Sequence, residues 1–206
     1  MADLSQIKIC SFNAAGLRMR PKLQSILDFM KSCKADIVFL QETHLVAEDL
    51  ETVKKDWKGK IHLSGDSKNS KGLLTLFAEY IPKENIKELD KTDRYICSGL
   101  TNVGINGLNF IFVNIYAPNE NTQKNYFLKT LSGQLRKLKT NYPDHNVISA
   151  GDFNTVLKNN LDIISGQIHN KNSVECFNRL LNENLLIDSW RHMHDMEKNV
   201  HLEERK

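Results

Sequence analysis

The sequence predicts a layered α/β domain, and three observations carry that expectation. Short apolar runs rich in Ile, Val and Phe recur along the chain. Stretches whose apolar residues repeat at helical spacing lie between several of those runs. No internal repeat, linker or shift in composition divides the 206 residues, so a single domain over residues 1–206 is expected.

The elements follow in order. Ile7 to Phe12 reads as a first buried strand, and residues 22–33 as a helix whose core-facing stripe is Leu23, Ile26, Leu27 and Met30. Asp36 to Leu40 and Leu73 to Phe77 read as further strands, as does Asn109 to Ile115. Residues 122–140 form the next helix, with Leu131, Leu135 and Leu138 inward and Asn121 or Thr122 as its cap. Asn146 to Ala150 is a strand again, and residues 173–184 a helix led by Ser173, with Val174, Phe177, Leu180 and Leu181 on one face.

Composition sets the limits. At 40% hydrophobic and 26% charged the chain can bury a core without staples. The balance of 28 Lys and Arg against 25 Asp and Glu, a net charge of +3, permits a polyanionic partner without requiring one. Cys10, Cys33, Cys97 and Cys176 stand alone, which argues for reduced thiols and against a zinc site. The start, MADLSQIKIC, has no basic stretch followed by a long apolar one, and no run reaches bilayer length. A soluble intracellular protein, nuclear or cytoplasmic and without a membrane partner, is expected.

The residues suited to chemistry gather where strands end. Asn13 follows the first strand in SFNAAG, Glu42 the second in QETHL, Tyr116 the fourth in YAPN, and Asp152 and Asn154 the fifth in GDFN. Strand ends of α/β sheets form the crevice where ligands bind, so four such endings point to one site. Singly, each has an ordinary reading. Asn13 suits a turn, Glu42 a solvated surface, Tyr116 an amphipathic core position, and Asp152 with Asn154 an Asx-turn.

Together and in this order, SFNAAGL, ADIVFLQETHL, NIYAPN and GDFN resemble the endonuclease/exonuclease/phosphatase superfamily. With NSKGL (residues 69–73), DRY (93–95) and SWRHMH (189–194), the chain looks most like the apurinic-endonuclease-like endonuclease domain of LINE-type non-LTR retrotransposons. The resemblance runs from Ile7 to about Asn199. It implies a four-layer α/β sandwich, two packed mixed β-sheets flanked by helices. It also implies hydrolysis of a phosphodiester with Mg²⁺ or Mn²⁺, and DNA as the partner. The chain would act as a monomer or, as in its relatives, as part of a larger reverse-transcriptase polyprotein.

The resemblance also assigns roles. Glu42 is the leading metal ligand, with Asn13 and Asp152 beside the ion. Asp152 takes the proton of the attacking water, Asn154 holds a phosphate oxygen or the water, and Tyr116 directs its hydroxyl at the scissile phosphate. Gly151 is expected to turn the backbone so that the acid and amide enter the crevice. For substrate, Arg18, Lys71, Arg94 and Asn119 are the leading contacts, with Arg20, Lys22, Lys68 and Asn121 near them in sequence.

Two motifs of the family are missing: a Ser-x-x-Asp segment and a terminal Asp-His pair. After SWRHMHDMEKN the sequence reads VHLEERK, a solvated tail, so the last strands of one sheet are expected to be absent and the domain carboxyl-terminally incomplete. His192, His194 and Asp195 precede the missing motifs and receive no catalytic role. Three readings remain open. The first is an endonuclease that nicks target DNA to leave a 3′ hydroxyl. The second is an inactive truncated relic with residual DNA binding. The third is a superfamily phosphatase or phospholipase, least favoured by NIYAPN and DRY.

Overall fold

The computed structural model describes residues 6–65, 67, 71–104, 107–155, 157 and 171–194. Lys68, the Asn69 and Ser70 of the NSKGL stretch, Asp195 and the VHLEERK tail lie outside the described residues. Eight strands and five α-helices are found among them. By internal packing they separate into two compact units. One runs to Tyr116 and takes in Asp144–Asp152; the other holds Ala117–Pro143 and the described residues from Phe153 onward.

The first unit contains both sheets. Strands β1 (Ile9–Asn13), β2 (Ile37–Gln41), β4 (Leu73–Phe77) and β3 (Ile61–Ser64) form one, in the order β1-β2-β4-β3. Strands β5 (Ile86–Lys91), β6 (Tyr95–Val103), β7 (Leu108–Tyr116) and β8 (His145–Asp152) form the other, in sequence order. Each is mixed: β1 runs parallel to β2 and β8 parallel to β7, and the remaining pairs are antiparallel. The α/β sandwich expected from the sequence is therefore the observed fold.

Strand β2 shows how the sequence encodes this. It is buried throughout, and its alternate residues serve different layers. Ile37 and Phe39 face the second sheet, where Phe39 and Phe77 meet the Phe112 ring of β7 at 6.4 and 6.5 Å. Val38 and Leu40 face the other way, against α1 (Arg20–Ser32) and α2 (Leu50–Asp56), with Leu23, Leu27, Met30 and Val53 completing that layer. Pro21 sits in the first turn of α1, where a missing N–H costs nothing.

In the second unit, α3 (Asn121–Asn141) packs on α4 (Lys171–Glu183). Ser132 donates to Glu183 at 2.7 Å, Asn184 donates to Ser132 at 2.9 Å, and the Phe153 and Phe177 rings lie 4.8 Å apart. A short helix, α5 (Ser189–Met193), follows.

Several expectations need correction. Glu120, and neither Asn121 nor Thr122, caps α3, its carboxylate accepting from the amides of Thr122 and Gln123 at 2.8 and 2.7 Å. Ser173 lies inside α4, buried, and donates to the Asn121 side chain at 3.3 Å. Gly151 does not turn the chain: β8 continues through it to Asp152. Its φ of +141° and its position opposite Ile115, whose backbone a Cβ would overlap, explain why only glycine fits there. Strands β3, β5 and β6 were not expected. His62 and Ser64 of β3 and Ser98 of β6 are polar yet buried, and β5 carries Lys87, Glu88, Asp90 and Lys91, so none of the three presents an apolar run.

Candidate active site

Asn13, Tyr116 and Asp152 are each the last residue of a strand, one position inside the ladder instead of in the turn beyond it. Asn13 pairs with Gln41, and Tyr116 with Asp152. Hydrogen-bonded rungs thus fix three of these side chains. Glu42 stands one residue past β2 with φ of +49°, a strained conformation for a glutamate. Neighbouring backbone holds it there. The Gly16 amide donates to the Glu42 carbonyl at 2.6 Å, Leu17 to Thr43 at 2.8 Å, Thr43 to Gly72 at 3.1 Å and His44 to Lys71 at 2.9 Å.

The centre of the cluster is one amide. Asn13 Nδ2 donates to Glu42 Oε1 at 3.0 Å and to Asp152 Oδ2 at 3.1 Å, so its two hydrogens serve two carboxylates 110 positions apart in sequence. Its own oxygen accepts the Ala15 amide at 3.1 Å, which fixes which end of the amide faces the acids. The Tyr116 hydroxyl lies beside Glu42 and favours its charged form. Burial pushes the Glu42 carboxyl up, but the donors Asn13 and Tyr116 and the nearby Lys71 outweigh it and hold the group below its ordinary value. The ion pair is loose, with Lys71 Nζ 3.4 Å from Glu42 Oε2. Burial, the bond to Glu42 and the charges of Glu42 and Asp152 push Tyr116 up to about 12, against the opposing pull of Arg94. Tyr116 is therefore a neutral donor at ordinary pH.

Arg94 lies over the Tyr116 ring, its guanidinium carbon 5.4 Å from the centroid, and its carbonyl accepts the Tyr116 amide at 2.9 Å. Of the expected substrate contacts, Lys71 and Arg94 thus join the cluster. Arg18 is tied to the loop beside it, donating to the His44 carbonyl at 2.8 Å. Lys22 donates to the Ala15 carbonyl at 2.9 Å and Arg20 pairs with Asp56 at 2.8 Å, so both brace the first unit internally. Asn154 and Asn119 belong to the second unit. Asn154 has φ of +48° and donates from Nδ2 to the Ala117 carbonyl at 2.8 Å, while its own carbonyl accepts the buried Lys124 at 2.5 Å. Asn119 is exposed. His192 lies in α5, and the His194 ring stacks on Trp190 at 4.1 Å.

Sequence reasoning missed Gln41 and Asn114, both buried, where Gln41 Nε2 donates to Asn114 Oδ1 at 2.8 Å. The available signal was an amide inside each apolar run, VFLQ and FIFVNIY. Among the described residues no group of three or more His, Cys, Asp or Glu is gathered to hold an ion. The donors fit a hard cation all the same. Magnesium characteristically takes one or two protein carboxylates and keeps waters, and Glu42 with Asp152 offers that pair. No helix among the described residues is long and apolar enough to cross a membrane.

Two mixed sheets packed face to face, with carboxylates converging at the strand ends, define an α/β sandwich with a candidate hydrolytic site. The chain belongs to the Endonuclease/Exonuclease/phosphatase family, whose sequence pattern matches residues 10–162. It is similar to the Transposon TX1 uncharacterized 149 kDa protein of Xenopus laevis, 25% identical over 187 residues, which is 90% of this chain but 14% of that protein. Among solved structures the fold is shared with the AP endonuclease LMAP from Leishmania major, at 16% identity and a TM-score of 0.75 over 93% of this chain and 70% of that one. It is shared also with the Xenopus laevis APE2 catalytic domain, at 21% and 0.71 over 94% and 74%, and with an AP endonuclease from Archaeoglobus fulgidus, at 20% and 0.67 over 94% and 76%.

Proposed function

We propose that this chain is a divalent-metal-dependent phosphodiesterase that nicks DNA and leaves a 3′ hydroxyl, of the kind carried by non-LTR retrotransposons. The observation that carries the reading is the Asn13 amide shared between Glu42 and Asp152. A neutral donor lets two carboxylates stand side by side without a lysine or arginine between them. That arrangement leaves their negative charge available to a cation and to the proton of a water.

Glu42 and Asp152 would hold Mg²⁺ or Mn²⁺, with Asn13 orienting both. A bound ion there supplies positive charge against the phosphate and against the negative charge that grows in the transition state. Asp152 accepts a proton from the attacking water as its oxygen bonds phosphorus and the 3′ oxygen departs. Tyr116, neutral, donates towards the phosphate. Lys71 and Arg94 meet the backbone phosphates of DNA. Asn154, two residues beyond Asp152 in GDFN, keeps the phosphate-holding role that the motif assigns. The resemblance to a transposon protein of which this chain spans about one seventh supports a source in a larger polyprotein, where the new 3′ end primes reverse transcription.

The test is nicking of supercoiled plasmid in Mg²⁺ by the wild type, Glu42→Ala and Asp152→Ala. Nicks extended by a DNA polymerase without prior end repair report a 3′ hydroxyl. Equal, background-level nicking by all three proteins would instead identify an inactive relic. Duplexes with an abasic site, sphingomyelin and inositol phosphates, run in parallel, report the other substrate classes of the superfamily.

A further inference from the structure

Between the two sheets, beneath the candidate site, lies a pair of buried amides that takes no direct part in the proposed chemistry. Asn114 is fully buried and Gln41 is 1% exposed. A primary amide is costly to bury unless its hydrogen bonds are made, and this one makes them across the sandwich. Asn114, on β7, accepts from Gln41 Nε2 at 2.8 Å. It donates to the carbonyls of Leu74 at 3.1 Å and Leu40 at 3.4 Å, and to the Thr75 hydroxyl at 3.3 Å, all on the opposite sheet. Gln41 donates also to Ser11 Oγ on β1 at 3.2 Å. Three strands of one sheet are thereby tied to one side chain of the other.

The position of this tie matters more than its strength. Leu40 and Leu74 are ladder partners, and the next rung, Gln41 with Leu73, is the last before Glu42. On β7, Asn114 shares a face with Tyr116 two residues on, and on β2 Gln41 immediately precedes Glu42, which accepts from Asn13 at 3.0 Å. The links close a small ring: Asn114, Ile115 and Tyr116 along β7, then Glu42, then Gln41, and back to Asn114. One of its joints is the Gln41–Asn114 hydrogen bond, one is the approach of Tyr116 to Glu42, and the rest are covalent. Phe112 and Phe39, one turn of the alternation further in, are packed only by ring contact, which tolerates sliding. Directional amide bonds do not.

Resting on the endonuclease reading, we infer that Asn114, together with Gln41, is a positioning residue: a neutral bolt across the two sheets that sets the separation of the β2 and β7 ends and hence the approach of Glu42 to Tyr116 and Asn13. It touches neither substrate nor metal. Its effect reaches the chemistry through the carboxylate of Glu42.

The experiment separates geometry from stability. Asn114→Leu alone leaves Gln41 buried without its acceptor, and should lower both the melting temperature and the nicking rate. Gln41→Met with Asn114→Leu replaces both members of the amide pair by apolar groups of similar size, which recovers the stability that Asn114→Leu loses through an unpaired Gln41. In this double variant kcat for plasmid nicking should remain at least tenfold below wild type with KM for DNA within twofold. Recovery of kcat along with the melting temperature would show a merely structural pair and overturn the inference. A crystal structure of the double variant gives a readout independent of turnover, in which Glu42 should have left hydrogen-bonding distance of Asn13. Glu42 found at its wild-type position sinks the positioning role whether or not the protein nicks DNA. If the double variant fails to fold, Gln41→Met alone, which keeps the other Asn114 bonds, is read by the same kcat and crystallographic criteria. A wild type that does not nick rejects the endonuclease reading alone, and the crystallographic comparison then decides the positioning role.

Discussion

Two buried polar contacts join the same pair of sheets, and they are built from opposite materials. Gln41 with Asn114 is neutral at every pH, and Asn114 has its carbonyl and its amide hydrogens engaged. His62 with Ser98, on β3 and β6, is titratable: His62 Nδ1 lies 2.7 Å from the Ser98 hydroxyl, and Nε2 has no hydrogen-bond partner among the described residues. The two contacts therefore respond differently to protons. The amide pair lies under the carboxylates and gives them a geometry that acidity cannot disturb. The imidazole sits opposite Thr75, whose hydroxyl accepts from Asn114, and charging it threatens the packing there.

Activity should respond most strongly to substitution. Glu42→Ala and Asp152→Ala should each lower plasmid nicking by about 10²- to 10³-fold, the usual scale for deleting a group that acts on the transition state. His62→Gln should leave the rate at neutral pH within twofold. A large fall in the His62→Gln rate would mean that the two contacts are not functionally distinct.

Next comes acid stability. Burial lowers His62 from its ordinary 6.5 to about 4, with the charge of Glu88 working weakly the other way. Above about pH 6.5 neither the folded nor the unfolded state binds the proton, and this group makes no difference. As the pH falls from 6.5 towards 4 the unfolded chain takes up a proton that the folded one refuses, so stability declines, by about 3 kcal/mol over the window. Denaturant melts of wild type and His62→Gln at several pH values between 7 and 4 should diverge across that range. Parallel curves would refute the assignment. Glu42, held low, loses its contribution only at more acidic pH, so the two effects are separable.

Arg94→Ala ranks third. Loss of the guanidinium over Tyr116 should weaken DNA binding severalfold and lower the slope of log affinity against log salt by about 1, as for one phosphate contact. An unchanged slope would leave Arg94 as a support for the tyrosine ring only.

Much of this was legible in the sequence for a simple reason. An apolar run that stops abruptly at a polar residue marks both a strand and its end, and Asn13, Glu42, Tyr116 and Asp152 each follow such a run. The first, second and third of the expected strands match β1, β2 and β4 to within two residues at each end. What could not be read are contacts made by residues that break the pattern. Gln41 and Asn114 meet across 73 positions, and no local rule pairs them. His62 and Ser98 turned polar groups inward and hid β3 and β6. Gly151 looked like a turn because a close approach to Ile115 and a reversal of the chain both call for glycine.

The finest distinction concerns the acidity of Glu42. If neutral amides and not formal charges set the site, Glu42 should owe its acidity more to Asn13 and Tyr116 than to Lys71. After burial, which opposes it, the Asn13 and Tyr116 donors come first and Lys71 acts through both its charge and a long hydrogen bond; the lysine is 3.4 Å away and nearly half exposed, where water screens its charge. Side-chain carboxyl NMR titration of the metal-free protein reads this directly. In Lys71→Gln the Glu42 midpoint should rise slightly, and the rise should shrink in high salt. In Asn13→Ala it should rise further and be indifferent to salt, because the lost donor was neutral and its hydrogen bond partly buried. A larger shift in Lys71→Gln than in Asn13→Ala would mean that charge pairing holds Glu42 and that the neutral-donor account of the two carboxylates is wrong.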